Sequence, residues 1–314
     1  MTMSPEDAGR VPDFFIVGHH KSGTTALYEM LRRHPQIFMP DLKEPRWFAS
    51  DMRALTDPPA HSPLPKTYQE YLALFAPARA DQITGEASPS YLRSATAAGE
   101  IASVAPNARI IAILREPASF VRSLHLQLLQ EHVETETDLR RAFEGEEIER
   151  NGLTVRRYSD HIHYVDQLRR YEELFAPEQM LVLIYDDFRR ENEATVRRVL
   201  RFLDVDASAP VEVLEANPTI EVRSVRADGV LRELRRRRGP VARTLKSTVR
   251  TLTPSRLRTD AIRTLKTRVL SGAPKPVDER FAAELRERFR GEVVALGEHL
   301  DRDLVALWGY DRER

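Results

Sequence analysis

Cysteine is absent from the 314 residues, so the chain can form no disulfide, no thiolate metal site and no cysteine nucleophile. A reducing compartment is compatible with that lack, although it is not required by it. Net charge is absent as well. The 48 Lys and Arg residues balance 48 Asp and Glu, which argues against a general nucleic-acid coat or an acidic storage protein and leaves any partner to local patches. Glycine is sparse at 13 residues and proline numbers 20, while 41% of residues are apolar and 31% charged. That balance is neither disordered nor fibrous, and it can fill one large α/β domain or two small ones. No apolar run approaches the ~20 residues of a membrane helix. The opening MTMSPEDAGR has neither the basic start nor the apolar stretch of a secretory signal. The reading is a soluble, cytoplasmic protein, with no repeat at a fixed period.

What is present is a series of strand–helix units. Phe14-Phe15-Ile16-Val17 is a short β-prone run, followed by a Gly-bearing loop and a helix in which Leu27, Met30 and Leu31 share a face. Arg32 and Arg33 fall in its last turn before His34-Pro35 stops it. Arg109 to Leu114 shows no alternation and reads as a buried parallel strand ending at Arg115, after which Pro117 opens a helix with Phe120, Val121, Leu124 and Leu128. Met180 to Ile184 precedes a helix with Val196, Val199, Leu200 and Leu203, and a last helical pattern runs from about Asp278 to Leu300. Strands alternating with helices imply an α/β protein with a parallel sheet covered on both faces.

Charge is distributed unevenly along these units. Glu131 to Arg150 carries eight acidic and three basic residues, most simply a solvated helix-and-loop surface. Glu221 to Leu270 carries fifteen basic and four acidic residues, with apolar residues at helical spacing, so basic amphipathic helices are expected there. Such a rim could accept an anionic substrate or touch an anionic membrane. The Arg235-Arg236-Arg237-Arg238 run reads as a solvated turn, and no nucleic-acid partner is expected at zero net charge.

Gly18-His19-His20-Lys21-Ser22-Gly23-Thr24-Thr25 places two glycines at the spacing of a nucleotide P-loop, with a hydroxyl residue at Thr25. Thr24 stands where a Walker loop has its phosphate-binding lysine, which weakens an ATPase or kinase reading. Lys21 instead lies inside the loop. Backbone N–H groups around Gly23 and the helix start at Thr24 and Thr25 can hold a phosphate, and Lys21 can point at the bridge between it and a transferable group. The alternatives are a P-loop nucleoside or small-molecule kinase or NTPase and, more distantly, a non-enzymatic nucleotide-binding protein.

The segment FFIVGHHKSGTTAL resembles the 5′-phosphosulfate loop of sulfotransferases that use 3′-phosphoadenosine 5′-phosphosulfate (PAPS). LREPASFVRSLHLQ is similar to their 3′-phosphate motif, with Arg115 at a strand end and Ser123 eight residues on. Lys43-Glu44-Pro45-Arg46-Trp47-Phe48 and Gly85-Glu86-Ala87-Ser88-Pro89-Ser90-Tyr91 look like segments of heparan-sulfate-type and bacterial carbohydrate sulfotransferases. Tyr158 to Val205 and Asp301-Arg302-Asp303-Leu304 ahead of Trp308 extend the likeness over most of the chain. The stretch 235–276 matches least.

The resemblance implies a P-loop-like three-layer fold with a central parallel sheet flanked by helices. It would run as a single domain over 13–314, after a flexible N-terminus at 1–12 and with a basic helical lid or insertion at 221–276. It also implies sulfuryl transfer from PAPS to a hydroxyl or amine of a glycan, glycolipid or secondary metabolite, releasing 3′-phosphoadenosine 5′-phosphate (PAP) with no metal. Lys21, Ser22, Gly23, Thr24 and Thr25 would hold the 5′ end, Arg115 and Ser123 the 3′-phosphate, and Arg223 and Ser224 would offer a further contact from a closing loop. Glu44 is the expected general base and His20 the runner-up. His161 and His163, two apart, are poorly spaced for chelation on a helix.

Overall fold

A run of apolar residues with no alternation can only be a strand if both its faces are covered, and three such runs make the centre of this protein. The computed structural model describes residues 10–54, 63–131, 133–150, 153–212, 221–222, 271–272 and 278–311. β1 (Phe14–Gly18), β4 (Arg109–Leu114) and β7 (Met180–Ile184) lie side by side and parallel, β1 pairing Ile16 with Ile111 and β4 pairing Ala112 with Val182. Two further parallel strands, β2 (Ile37–Phe38) and β3 (Ile83–Ala87), complete a five-stranded sheet in the order β2-β3-β1-β4-β7. Both were missed in the sequence reading. β2 is two residues long, and β3 carries Gly85 and Glu86 in a strand whose last four residues are nonetheless buried.

Alternate residues of the strands build two apolar layers. Phe14, Ile16, Ile111, Ile113, Leu181 and Leu183 pack with Leu27, Tyr28 and Leu31 of α1 (Thr24–Leu31) and with Val196, Val199 and Leu200 of α10 (Asn192–Phe202). On the opposite face, Phe15 meets Phe48 edge-on at 5.7 Å and lies 6.5 Å from Tyr91 of α4 (Ser90–Arg93). The expected α/β fold with helices flanking a central parallel sheet is the fold observed. A short helix, α9 (Tyr185–Arg190), intervenes between β7 and α10, and α1 stops at Leu31, leaving Arg32 as its C-cap rather than in its last turn.

The chain divides into two compact units. One comprises Met1–Phe120, Glu146–Asn217 and Ala283–Arg314 and contains the sheet; the other comprises Val121–Gly145 and Pro218–Ala282. In the second unit, α7 (Leu139–Glu144) is capped by Asp138, Phe143 packs edge-on against Phe281, and Glu221–Val222 pairs antiparallel with Ser271–Gly272. The expected basic helices between those two short strands lie outside the described residues.

The acidic stretch from Glu131 to Arg150 is not simply a solvated surface. Glu134 and Glu146 are both buried. Glu146 accepts the N–H groups of Tyr158 and Ser159 at 3.1 and 2.8 Å and the Ser159 hydroxyl at 2.5 Å, while β5 (Glu147–Arg150) pairs antiparallel with β6 (Leu153–Arg156). Buried acceptors surrounded by N–H donors cannot be told from solvated acids by composition. Among the described residues, no helix is long and apolar enough to cross a membrane.

Candidate active site

In an open parallel sheet, ligands bind outside the carboxyl ends of the strands where the strand order reverses. Here β1 is followed in sequence by neighbours on one side and then by β4 on the other, so that position is the end of β1. Gly18 closes β1 with φ 136°, and a Cβ there would lie 2.4 Å from the Ile113 carbonyl oxygen, which accepts the His19 N–H at 3.0 Å. Only glycine permits the chain to leave the strand this close to β4. The loop then turns through Lys21 at φ 61° and Gly23 at φ 85° into α1. A Cβ on Gly23 would stand 2.8 Å from the Phe188 ring, and glycine gives α1 no side-chain cap. The first N–H groups of α1 therefore face outward with the positive end of the helix dipole, an arrangement suited to an anion. Ser22 and Thr24 are buried and Thr25 is exposed.

Arg115 leaves the end of β4 toward this loop. Its guanidinium donates to the Lys21 carbonyl at 2.6 Å and to Ser119 Oγ at 3.1 Å, and lies 4.9 Å from the centre of the Tyr185 ring. Glu116 is no ion-pair partner for it in this arrangement. The Glu116 carboxylate accepts the N–H groups of Ala118 and Ser119 at the start of α6 (Pro117–Glu131), together with the Tyr310 hydroxyl at 2.7 Å. Arg115 thus fixes the loop's shape as well as offering positive charge beside it. Tyr185 was missed from the sequence, although its place immediately after β7 was a usable signal.

His20 and Glu44 come together across this end of the sheet. The Glu44 N–H donates to the Ala87 carbonyl at 3.1 Å, which draws the 44–48 turn along β3, and both Glu44 and Arg46 hold left-handed backbone at φ 60° and 54°. Lys43 Nζ donates to one Glu44 oxygen at 2.8 Å and Arg46 to the other at 2.5 Å. Burial would raise the Glu44 pKa, but positive charge at His20, Lys43 and Arg46 outweighs it and pulls the pKa down to about 2. Burial lowers His20 to about 4, against the pull of Glu44 and with the repulsion of Arg46, Arg93 and Lys43. At neutral pH the pair is thus an ionised carboxylate beside a neutral imidazole.

Three further residues border this pair without having been singled out for it. The His161 ring lies 6.3 Å from that of His20 and 5.3 Å from Phe120, Arg93 acts electrostatically on both histidines, and the His19 ring lies 4.3 Å from that of Tyr164, tilted by 41°. His161 ends a turn of 3-10 helix at Ser159–His161 while His163 caps α8 (Tyr164–Glu172), so the two do not share a helix.

Lys21, Ser22, Gly23, Thr24, Thr25 and Arg115 are therefore brought to one place, with His20 and Glu44 paired in the same unit. Ser123 lies in α6 within the second unit, its hydroxyl buried and without a hydrogen-bonding partner among the described residues. Arg223 and Ser224 lie outside the described residues. The arrangement can hold an anionic group at the start of α1 and offers an ionised carboxylate to take up a proton.

A family profile described as Sulfotransferase family matches residues 12–209, which include the loop, the Glu44 turn, β4 and β7. The chain belongs to the sulfotransferase family. The membrane-associated sulfotransferase kil1 of Dictyostelium discoideum is 32% identical over 107 residues, covering 34% of this chain and 21% of that protein. The bifunctional heparan sulfate N-deacetylase/N-sulfotransferase 3 of Homo sapiens is 26% identical over 226 residues, covering 62% of this chain and 22% of that protein. The chain thus spans about a fifth of the length of these two curated relatives. Among solved structures, a sulfotransferase from Alicyclobacillus acidocaldarius superposes with a TM-score of 0.64 at 22% identity, covering 95% of this chain and 98% of that one, so the two share a fold.

Proposed function

We propose that this sulfotransferase moves a sulfuryl group from PAPS to a hydroxyl or amine of a glycan, glycolipid or secondary-metabolite acceptor and releases PAP. The observation that carries the reading is the uncapped, glycine-shaped start of α1 with Lys21 in the loop and the Arg115 guanidinium on the Lys21 carbonyl. The residues fit a phosphate-bearing group: Gly23, packed too closely on the Phe188 ring for any Cβ, turns the loop into α1 without a side-chain cap, and the helix start supplies oriented N–H donors. PAPS, when bound, supplies the sulfuryl group on its 5′-phosphate and a separate 3′-phosphate.

Lys21 and the N–H groups from Ser22 to Thr25 are read as stabilising negative charge on the leaving 5′-phosphate, where it grows in the transition state. Arg115, a planar fork of donors, and Ser123 are read as holding the 3′-phosphate. Glu44 is read as taking the acceptor's proton, with His20 beside it. The Glu44 carboxylate is free of a proton at any working pH, so it is in the correct form without a prior ionisation. The rival kinase or NTPase reading is weakened because Thr24 replaces the phosphate-binding lysine. In addition, the acids after β7 are already engaged, Asp186 by Trp308 at 3.0 Å and Asp187 by Arg302 at 2.8 Å.

The carbohydrate and heparan sulfate sulfotransferases among the relatives support a glycan as the first acceptor class to try. A cytoplasmic enzyme that needs no metal, with the fifteen basic residues from Glu221 to Leu270 supplying charge of the sign that an anionic acceptor or membrane would call for, completes the reading. The test is transfer of labelled sulfate from PAPS to a panel of glycans, glycolipids and hydroxylated small molecules. Labelled product with stoichiometric PAP is expected, whereas transfer from none of the panel, together with phosphoryl transfer from ATP, would contradict it.

A further inference from the structure

Glu86 is fully buried near the end of β3 and has no part in the roles assigned above. Three hydroxyls converge on its carboxylate. Ser88 donates to one oxygen at 2.6 Å, Tyr71 donates to the other, and the Tyr91 hydroxyl is hydrogen-bonded to the same group. Two of these hydroxyls have a second partner in the turn that carries Glu44. Ser88 Oγ accepts the Arg46 N–H at 3.2 Å, and the Tyr91 oxygen accepts the Phe48 N–H at 3.2 Å. The third, Tyr71, stacks its ring on Trp47 at 5.9 Å and 21°. Arg46, Trp47 and Phe48 are thus each tied to a hydroxyl residue that Glu86 holds.

We propose that Glu86 is a positioning residue: through Ser88, Tyr91 and Tyr71 it locks the 44–48 turn and so presents the Glu44 carboxylate to the acceptor. This rests on the reading of Glu44 as the base. A hydroxyl has one hydrogen, and by accepting those of Ser88 and Tyr91 the carboxylate leaves their lone pairs turned toward the Arg46 and Phe48 N–H groups. The turn needs such a hold because Glu44 and Arg46 both sit in left-handed backbone, which other conformations of the loop would relieve. A carboxylate inside a sheet is otherwise unfavourable, since burial alone disfavours its charge. That burial raises Glu86 to about 7 despite the opposing hydrogen bonds of Ser88, Tyr71 and Tyr91. The titratable groups that interact with it are tyrosines: Tyr71 of α3 (Tyr68–Ala73), Tyr91 of α4 and Tyr171 of α8.

The test uses the full chain with Glu86→Gln, Ser88→Ala and Tyr91→Phe, reading residue-resolved amide exchange, PAP affinity and sulfate transfer. In Ser88→Ala the Arg46 amide, and in Tyr91→Phe the Phe48 amide, should exchange about ten-fold faster while β1 and β4 amides keep their protection. Glu86→Gln should speed both and lower kcat by about ten-fold or more, with PAP affinity within about two-fold of the parent. If Glu86→Gln does not fold, the other two variants retain the carboxylate and carry the same readings. Unchanged exchange at Arg46 and Phe48, or a fall in PAP affinity parallel to the fall in kcat, would overturn the proposal. Glu44→Gln is assayed alongside. Full transfer by that variant would remove the base reading, while the exchange data would still decide whether Glu86 holds the turn.

Discussion

Lys21 and Arg115 are joined by a hydrogen bond from guanidinium to carbonyl, so their substitution effects should differ in kind. Replacing Lys21 by Ala removes a cation from the site of developing charge and should lower turnover about 10²–10³-fold while PAP affinity changes little. Arg115→Ala should weaken PAP about 10–100-fold through loss of a charged hydrogen-bonding partner. Because the Lys21 carbonyl also loses its 2.6 Å donor, turnover should fall too, so the two variants separate in binding more cleanly than in rate. PAP titration and steady-state kinetics on both check this, and unchanged PAP affinity in Arg115→Ala would place the 3′-phosphate elsewhere. Glu44→Gln should bind PAPS normally and transfer about 10²–10⁴-fold more slowly. With the Glu44 pKa pulled down to about 2, its acidic limb falls below the usual assay range, and a pH–rate profile down to pH 4 should show no limb that this substitution removes. A limb near pH 5 that disappears in the variant would contradict the charge environment described.

Strand by strand, the sequence was legible where hydrophobicity alone dictates structure. β1, β4 and β7 are unbroken apolar runs, and α1, α6 and α10 follow them with helical spacing. β3 was illegible as a strand because it spends two of its five residues on Gly85 and Glu86, one giving way to the Phe14 ring and the other taking hydroxyls. The loop from Gly18 to Thr25 and the end of β4 at Arg115 could be read from motif spacing. The meeting of His20 with Glu44 could not, since it depends on the Glu44 N–H finding Ala87 beside β1. Arg93 likewise acts on His20 and His161 through tertiary contacts that no short motif encodes. Gly18 offers a test at this scale. In Gly18→Ala the new methyl meets the Ile113 carbonyl in a backbone region unfavourable to L residues, and the cost should be roughly 2–5 kcal/mol. Urea denaturation measures it, and a midpoint equal to that of the parent would contradict the closeness of β1 and β4.

Across the whole molecule, buried titratable groups make stability depend on pH with a defined sign. Burial lowers His19 to about 3 and His20 to about 4, and takes His161 well below the ordinary 6.5. The folded state holds these rings neutral, so their contribution is present above pH 6.5 and is lost as pH falls toward 4. Glu86, raised to about 7, has the opposite sign: its contribution is greatest below its unfolded value near 4.5 and is lost as pH rises toward 7. Burial lowers His125 as well, so between pH 6.5 and 4.5 four imidazoles oppose the Glu86 carboxyl, and stability in denaturant should decline on acidification. The decline should be steeper in Glu86→Gln, which lacks the opposing group. A parent protein equally stable at pH 7 and pH 4.5 would contradict this balance.

The central claim is that the loop and Arg115 form a site for an adenosine nucleotide with separate 3′- and 5′-phosphates rather than for a metal-bound triphosphate. Calorimetric titration of the full chain with PAP and, separately, with Mg-ADP tests it most directly. PAP should bind about 10–100-fold more tightly than Mg-ADP, the margin a 3′-phosphate gains from charged hydrogen bonds; tighter binding of Mg-ADP than of PAP would contradict it.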